Sequence, residues 1–212
     1  MAAVAAYSLV FPTYEYRYRL TINIEIDGQL HSGSSIIDVA WVGQPDLGDA
    51  GPFQPRLRGQ ATFVDLGSHG ALVAALNNGE SYGPASDGAV NAIWLAANAF
   101  GNQSSNGELP SLRRLRGRRD LSPNNMPRLI WFPDPANPKT ARKVHVADIP
   151  IILGANARFV SATVEITQDP IVIDIDRRLP WYSSLTEKGP GSSIQVEYGF
   201  ALGKGTFIGG GP

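Results

Sequence analysis

The chain has 212 residues, a formal net charge of −1 and no cysteine. Disulfide bonds, thiolate catalysis and cysteine metal ligands are therefore excluded, and there is no global positive charge to draw the chain to nucleic acid or to an anionic membrane. Hydrophobic residues make up 43% of the chain, enough for a core, while 17% charged residues, 23 glycines and 16 prolines indicate a turn-rich domain that contains sheet.

The N-terminus is a short apolar segment. Residues 2–11 are largely apolar, and Pro12 ends the run. The segment is shorter than the about 20 residues that a membrane-spanning helix needs, and it lacks the basic start of a signal peptide. Two interpretations stay open: a first strand or loose tail, or the outer end of a membrane anchor. The predicted organisation is a tail or anchor remnant over 1–12, one globular domain over 13–208 and a glycine-rich tail over 209–212.

A long hairpin follows. In Thr13–Ile26, tyrosine, leucine and isoleucine alternate with polar residues, which is typical of a strand with one wet face. Asp27 and Gly28 suit the positive φ angles of a type I′ turn, and apolar alternation returns over residues 30–42. The sequence therefore predicts an antiparallel hairpin.

The next segments predict loops and two helices. Residues 43–59 and 78–88 are rich in glycine, proline or serine and are predicted to be loops. Residues 61–66 predict a short strand, and a helix is expected over 71–77 with Ser68 as its cap. A second helix is predicted over 89–100.

The second helix is expected to end at Gly101 and to bury Ile93, Trp94 and Ala97, which recur at helical spacing. Further on, residues 102–125 are polar, and residues 133–143 predict a surface loop. Strands are predicted over 129–132, 158–167, 171–175 and 194–200. Together these elements predict a single α+β domain, mainly antiparallel sheet, with the N-terminal hairpin and about two helices packed on it.

One candidate site is the turn formed by Gly67, Ser68, His69 and Gly70. Free N–H groups at a helix start bind anions, and the two glycines permit close approach of a ligand. An alternative is a hydrolase or transferase site near Asp65, Ser68 and His69. However, the turn is one residue shorter than the G-x-S-x-G nucleophile pattern, and adjacent residues seldom adopt nucleophile–base geometry.

A candidate interaction surface combines aromatic and basic residues. Tyrosine is enriched at interfaces, and a strand at a sheet edge can pair with a partner strand. The guanidinium groups of an arginine-rich run suit anionic partners, although a solvated face explains the run as well. The surface consists of Tyr14, Tyr16, Tyr18, Arg113, Arg114 and Arg116.

No metal or cofactor site is predicted. His31, His69 and His145 have no acidic residue at a characteristic ligand spacing. Asp174 and Asp176 are expected to share one face of a strand, which needs no function beyond solvation.

Eight segments give the chain a resemblance to a family of uncharacterised proteobacterial proteins. They are YRYRLT (16–21), GSSII (33–37), LRGQA (57–61), VDLG (64–67), PRLIW (127–131), PKTAR (138–142), VEIT (164–167) and LPW (179–181). The resemblance implies a hydrophobic segment before the Tyr/Arg strand, hence an inner-membrane anchor with the domain on the periplasmic side. The family has no established activity, so it supplies no site residues.

The leading hypothesis from the sequence is a non-enzymatic cell-envelope domain that binds a protein partner or contributes to a membrane-associated assembly. The alternatives are the hydrolase or transferase described above and a module that binds a small anion or ligand. No interaction with nucleic acid is expected, and membrane contact is expected only through the N-terminal segment.

Overall fold

The computed structural model describes residues 10–46, 51–77, 88–102, 106–197 and 200–210. They form an α+β fold dominated by antiparallel sheet, so the predicted fold class is confirmed. The strands are β1 (Thr13–Ile26), β2 (Gln29–Gly43), β3 (Phe53–Gln60), β4 (Thr62–Asp65), β5 (Ala71–Ala74), β6 (Arg118–Asp120), β7 (Leu129–Phe132), β8 (Arg142–Val144), β9 (Arg158–Ile166), β10 (Ser193–Glu197), β11 (Phe200–Gly203) and β12 (Ile208–Gly209).

Helices are few and short in these residues. The α-helices are α1 (Ala92–Ala99), α2 (Ile149–Leu153), α3 (Ile175–Arg178) and α4 (Lys204–Phe207). The 3-10 segments are Gly67–His69, Asn106–Arg114, Pro138–Thr140, Val146–Asp148 and Pro180–Ser184. In the part of the chain that is described, no helix has the length and apolar character needed to cross a bilayer.

The largest sheet has the strand order β12-β3-β2-β1-β9-β6. Its spine is the predicted hairpin, in which Ile26 pairs with Gln29. Asp27 and Gly28 have φ angles of 50° and 80°, as a type I′ turn requires. The hairpin is therefore confirmed, with β1 in the interior of the sheet between β2 and β9.

A second sheet has the order β4-β5-β7-β8, and β10 and β11 form a separate hairpin. The two larger sheets are connected by one nearly continuous strand, because only Ala61 separates β3 from β4. Where β4 crosses β2, the backbone of Gly33 lies against the carbonyl oxygen of Phe63. Apolar residues of both sheets and of α1 share a single core, which includes Leu20, Leu72 and Leu95.

The predicted loop over 43–59 is wrong for its second half, which is β3. In this strand Phe53 and Leu57 pack against the core, while Gln54 and Arg56 are exposed. Pro55 obscured the pattern. It is tolerated because β12 pairs only with the end of β3, so the edge beside Pro55 needs no N–H donor.

The predicted helix over 71–77 is also wrong. Residues Ala71–Ala74 form β5, which lies between β4 and β7 and is buried along its whole length. A strand covered on both faces gives a continuous apolar run without alternation, and such a run cannot be told from a buried helix by periodicity.

The helix over 89–100 is confirmed in a shorter form. Asn91 caps α1 by accepting a hydrogen bond from the N–H of Ile93 at 3.2 Å. Ile93 and Ala97 are buried as expected, whereas Trp94 is only partly buried and stacks on Trp41 with ring centroids 4.5 Å apart.

The strands predicted near the C-terminus are confirmed in part. β9 occupies most of 158–167, and Ser193–Glu197 with Phe200–Gly203 replaces the single strand over 194–200. Residues 171–174 belong to no strand, and Ile175 begins α3, so Asp174 and Asp176 do not share a strand face. The predicted tail or anchor over 2–11 and the loop over 78–88 lie mostly outside the described residues.

Candidate functional site

A polar groove runs over the face of the large sheet that points away from the core. Its first half is a cavity of 480 Å³ whose polar lining includes Arg19, Ser32, Ser34, Gln60, Asp169 and Asp174. Its second half, of 460 Å³, is lined by the loop of Gly67, Ser68 and Gly70 and by Asp134. Both halves share the side chains of Phe63, Asp65 and Arg178.

The floor of the groove is formed by residues of β1 and β2, and the register of these strands determines which side chains it presents. Thr21 pairs with Ser34 and Asn23 pairs with Ser32, so the two serines extend from the same face of the sheet as Arg19. Both serines are exposed, and neither hydroxyl has a hydrogen-bond partner among the described residues. The floor therefore offers hydroxyl groups that are available to a ligand.

One wall of the first half is the segment 167–174, here called the strap. At its start, the guanidinium of Arg17 donates to the carbonyl oxygen of Asp169 at 3.0 Å, and the Asp169 carboxylate forms an ion pair with Arg19. These contacts attach the strap to β1.

Gln60 holds the other end of the strap. Its Oε1 accepts hydrogen bonds from the N–H groups of Asp174 at 2.7 Å and Ile175 at 2.9 Å. Its Nε2 donates to the Asp174 carboxylate at 2.7 Å. Because Gln60 is only 6% exposed, these bonds satisfy a polar side chain that would otherwise be buried without partners.

Asp174 and Arg178 form the most strongly engaged charge pair in the groove. Nε and Nη2 of Arg178 donate to one carboxylate oxygen at 3.1 and 3.0 Å, and the guanidinium carbon lies 5.2 Å from the centre of the Phe63 ring. The hydrogen bonds from Arg178 and then from Gln60 lower the pKa of Asp174 below its ordinary value. Asp174 is therefore ionised at neutral pH.

Most charges of the groove are paired. Arg19 is paired with Asp169 and Arg178 with Asp174, which leaves Asp65 and, in the second half, Asp134 as the remaining carboxylates of the lining. One oxygen of Asp65 accepts a hydrogen bond from the N–H of Gly67 at 2.9 Å. The groove thus presents hydroxyl donors and carboxylate acceptors together, with a small excess of negative charge and no unpaired arginine in its described lining.

The structure removes the basis of the predicted anion site at Gly67, Ser68, His69 and Gly70. A strand follows the single 3-10 turn Gly67–His69, so the α-helix whose first N–H groups would bind an anion does not form here. The N–H groups of Gly67, His69 and Gly70 are already bonded to Asp65 Oδ1 and to the carbonyl oxygens of Leu66 and Gly67, respectively. Only the N–H of Ser68 is left of the four expected donors.

The alternative site of Asp65, Ser68 and His69 is brought together only in part. Asp65 and Ser68 line the polar groove, but no hydrogen bond joins the three side chains in the residues that the structure describes. His69 instead contributes its backbone carbonyl, which accepts from Nε1 of Trp131 at 2.8 Å. The relay of a nucleophilic triad is not formed.

The residues of the predicted interaction surface are partly buried in the core and partly exposed. Tyr16 and Tyr18 are 6% and 0% exposed, and β1 is not at an edge, so the expected surface is wrong for these two residues. The pattern places aromatic residues on one face but cannot say whether that face is covered. Tyr14 is only partly buried, and the Arg113 guanidinium lies 4.7 Å from its ring centre.

The three predicted arginines are exposed and lie outside the polar groove. Arg113 donates to the carbonyl oxygen of Thr13 at 2.6 Å, and Arg116 donates to that of Leu115 at 2.6 Å. A role of Arg113, Arg114 and Arg116 in binding a partner stays a prediction.

Few of the residues that form the groove can be recognised from sequence patterns. Arg19 and Asp174 lie 155 positions apart but line the same cavity, and Gln60 lies between the predicted loop over 43–59 and the predicted strand over 61–66. Beyond Asp65 and Ser68, which belong to the predicted sites, only the alternation of Ser32 and Ser34 on the wet face of β2 is a signal that points to the groove. Among the described residues, no group of three or more histidine, aspartate or glutamate side chains is arranged to hold a metal ion.

Comparison of the chain with models of protein families, with curated proteins and with solved structures finds no match. The functional interpretation therefore depends on the geometry of the polar groove.

Proposed function

We propose that this chain is a non-enzymatic binding domain of the cell envelope and that its polar groove binds an uncharged, hydroxyl-rich ligand, a glycan. The observation that carries the proposal is the lining of the groove. Its charges are largely paired with one another, while the hydroxyls of Ser32 and Ser34 have no partner among the described residues. A sugar hydroxyl both donates and accepts hydrogen bonds, so it matches a surface that offers serine hydroxyls beside carboxylates.

An anionic ligand fits the groove less well. Arginine recognises phosphate or carboxylate through free N–H groups in a fork. Here the guanidinium of Arg19 and the Nε–Nη2 edge of Arg178 already bind Asp169 and Asp174, so an anion that took either fork would have to displace a carboxylate that is part of the wall.

The ionised state of Asp174 does not suit the proton donor of a glycoside hydrolase. A glycosidase needs one carboxyl group with a raised pKa to protonate the leaving oxygen. The pKa of Asp174 is lowered by Arg178 and Gln60, which is the opposite direction.

The location in the envelope derives from the family resemblance and from the apolar residues 2–11. Fractionation of a bacterium that produces the natural protein tests it. We expect the protein in the inner-membrane fraction, and recovery in the cytosolic fraction alone would refute the location without affecting the groove.

Thermal-shift and calorimetric titration with neutral oligosaccharides, phosphate, carboxylates and short peptides tests the ligand class. We expect at least one neutral glycan to raise the melting temperature, because binding to the native state stabilises it. The double variant Ser32→Val, Ser34→Val replaces the exposed hydroxyls by residues that strands accept readily, and it should abolish the shift.

Ser193→Val is the matched control, since Ser193 is an exposed strand residue outside the groove. It should keep the shift. Stabilisation by phosphate or a peptide but by no glycan, or an undiminished shift in the double variant, would refute the proposal.

A protein partner is a second candidate ligand, and the exposed residues in the middle of the strap favour it. Val172 and Ile173 are 62% and 49% exposed, and their N–H groups have no hydrogen-bond partner among the described residues. Exposed β-branched residues with unpaired backbone suit pairing with an extended segment of another protein. If so, Ile173→Lys should abolish a crosslinked complex in the producing bacterium, and because Ile173 does not line the groove, it should leave glycan binding intact.

A further inference from the structure

The two halves of the polar groove form one continuous binding surface. Each half has a size typical of a ligand pocket, at 480 and 460 Å³. They meet at Phe63, Asp65 and Arg178, which contribute to the lining of both. A ligand that fills only one half would leave the other half of this surface unused.

Phe63 is directed to the junction by its position in β4. Its neighbours Thr62 and Val64 are fully buried, and alternation along the strand points the Phe63 ring to the opposite side. The ring is partly exposed and lies beneath the guanidinium of Arg178. At the junction, an aromatic ring and a guanidinium group thus lie between the two polar halves of the groove.

Arg178 has donors left for a ligand. Asp174 uses its Nε and Nη2, whereas Nη1 has no hydrogen-bond partner among the described residues. Beyond the junction, the second half adds the exposed Ser68, whose hydroxyl is also unpaired there, and the carboxylate of Asp134. Hydrogen-bonding groups therefore occur in three successive places along the groove.

We infer that the ligand is a linear oligosaccharide that occupies both halves, an inference that rests on the proposed function. One sugar unit contacts Ser32 and Ser34, a middle unit contacts the junction, and a further unit contacts the region of Ser68. A chain that places several units on one rigid surface gains affinity with each unit, because the first contact raises the effective concentration of the next.

The test measures affinity against chain length by calorimetry. The probes are the β-1,4-linked N-acetylglucosamine series and the α-1,4-linked glucose series, each from monomer to tetramer. In the series that binds, we expect the tetramer to bind at least about tenfold more tightly than the monomer.

A variant that fills the second half separates the two regions. Ser68→Tyr places a large side chain there, at an exposed position whose φ is not positive. It should reduce the affinity for the tetramer to that for the dimer, because the floor and the junction still hold two units. Ser183→Tyr, at an exposed position of another 3-10 segment outside the groove, is the control and should change neither affinity.

Equal affinities for monomer and tetramer in the natural sequence, or full tetramer affinity in Ser68→Tyr, would overturn the oligosaccharide inference while the proposed function stands. If neither series nor any other neutral glycan binds, both fail together. Melting temperatures of the two variants, expected to equal that of the natural sequence, show that each has folded.

Discussion

The hydroxyl of Tyr18 donates a hydrogen bond of 2.6 Å to the carbonyl oxygen of Ala92, the first residue of α1. Tyr16 makes the equivalent bond of 2.7 Å to Ile93. Both rings are buried, so the tyrosine face of β1 anchors the helix to the centre of the large sheet.

Tyr18→Phe should lower the free energy of unfolding by about 1 kcal/mol, the usual net value of a hydrogen bond whose acceptor stays in a helix. Urea denaturation measures the change. Tyr14→Phe is the matched control, because Tyr14 is only partly buried and its hydroxyl makes no hydrogen bond in the described residues; it should stay within about 0.5 kcal/mol. Equal losses in the two variants would contradict the role of the Tyr18 bond.

Stability should fall at alkaline pH because of the same two tyrosines. Burial raises the pKa of Tyr16 and of Tyr18 well above the ordinary value. The folded state therefore keeps both protons while the unfolded chain releases them, so the contribution is complete below about pH 10 and is lost as the pH rises toward the folded pKa values.

Urea denaturation between pH 9 and 11 measures this loss. The double variant Tyr16→Phe, Tyr18→Phe should lose less stability over that range than the natural sequence. Absorbance at 295 nm should show at least two tyrosines that titrate only on unfolding. Titration of all seven tyrosines in the native state would show that the rings are not buried.

Substitutions in the hairpin turn should lower the free energy of unfolding through backbone conformation alone. Gly28 has φ 80° and open space around it, so a side chain meets no atom but must adopt the left-handed region. Gly28→Val should cost about 1–3 kcal/mol, whereas Gly28→Asn should cost less, because asparagine tolerates this region. Thermal denaturation compares the two, and similar losses in both would argue against the turn type.

A substitution of Gly33 should lower the free energy of unfolding through a steric clash instead. A methyl group on it would overlap the carbonyl oxygen of Phe63, a backbone atom that cannot move without displacing β4. Gly33→Ala should therefore cost about 1–3 kcal/mol or more, as other overpacked sites do. Gly203→Ala is the control, since its added atom lies 3.4 Å from the carbonyl oxygen of Ser192, an ordinary contact. An unchanged melting temperature for Gly33→Ala would show that β2 and β4 do not cross so closely.

Gln60→Glu should make stability depend on pH. It places a carboxylate against that of Asp174, where the natural amide donates at 2.7 Å. The mutual repulsion raises the pKa of the introduced carboxyl, so the deficit relative to the natural sequence should be full at pH 7 and shrink as the pH falls below about 5.

Gln60→Leu is the comparison for this experiment. It leaves the N–H groups of Asp174 and Ile175 without their acceptor, so its deficit should persist at every pH. Parallel pH curves for the two variants would contradict the contact between residues 60 and 174.

The sequence specified the hairpin well because two independent signals coincide there. Fourteen residues of strict alternation define β1, and Asp27 with Gly28 defines the turn. At Ala71–Ala74 the signal is absent, because a strand buried on both faces does not alternate. At residues 171–173 a β-branched run predicted a strand, but Gln60 binds the backbone just beyond the run, at Asp174 and Ile175, and α3 begins there.

The candidate site was less predictable than the fold. Asp65 and Ser68 were singled out, but for a helix start and a triad that do not form. The serines of β2 are brought to them by the crossing of β2 and β4, and Arg178 is brought to them by α3, from which it reaches the ring of Phe63. Local patterns carry no information on such long-range juxtaposition, which arises from the packing of two sheets.

Ala61 gives the fold a mechanical property. It is fully buried and links β3 to β4, so one continuous segment of backbone belongs to both sheets. Its N–H donates a hydrogen bond of 2.7 Å to the carbonyl oxygen of Phe207, which fixes the link to the C-terminal region. Unfolding of β4 should therefore also disrupt the pairing of β3 with β2. Amide protons of β2, β3 and β5 should consequently exchange with deuterium at one common rate under mildly denaturing conditions, as a single foldon.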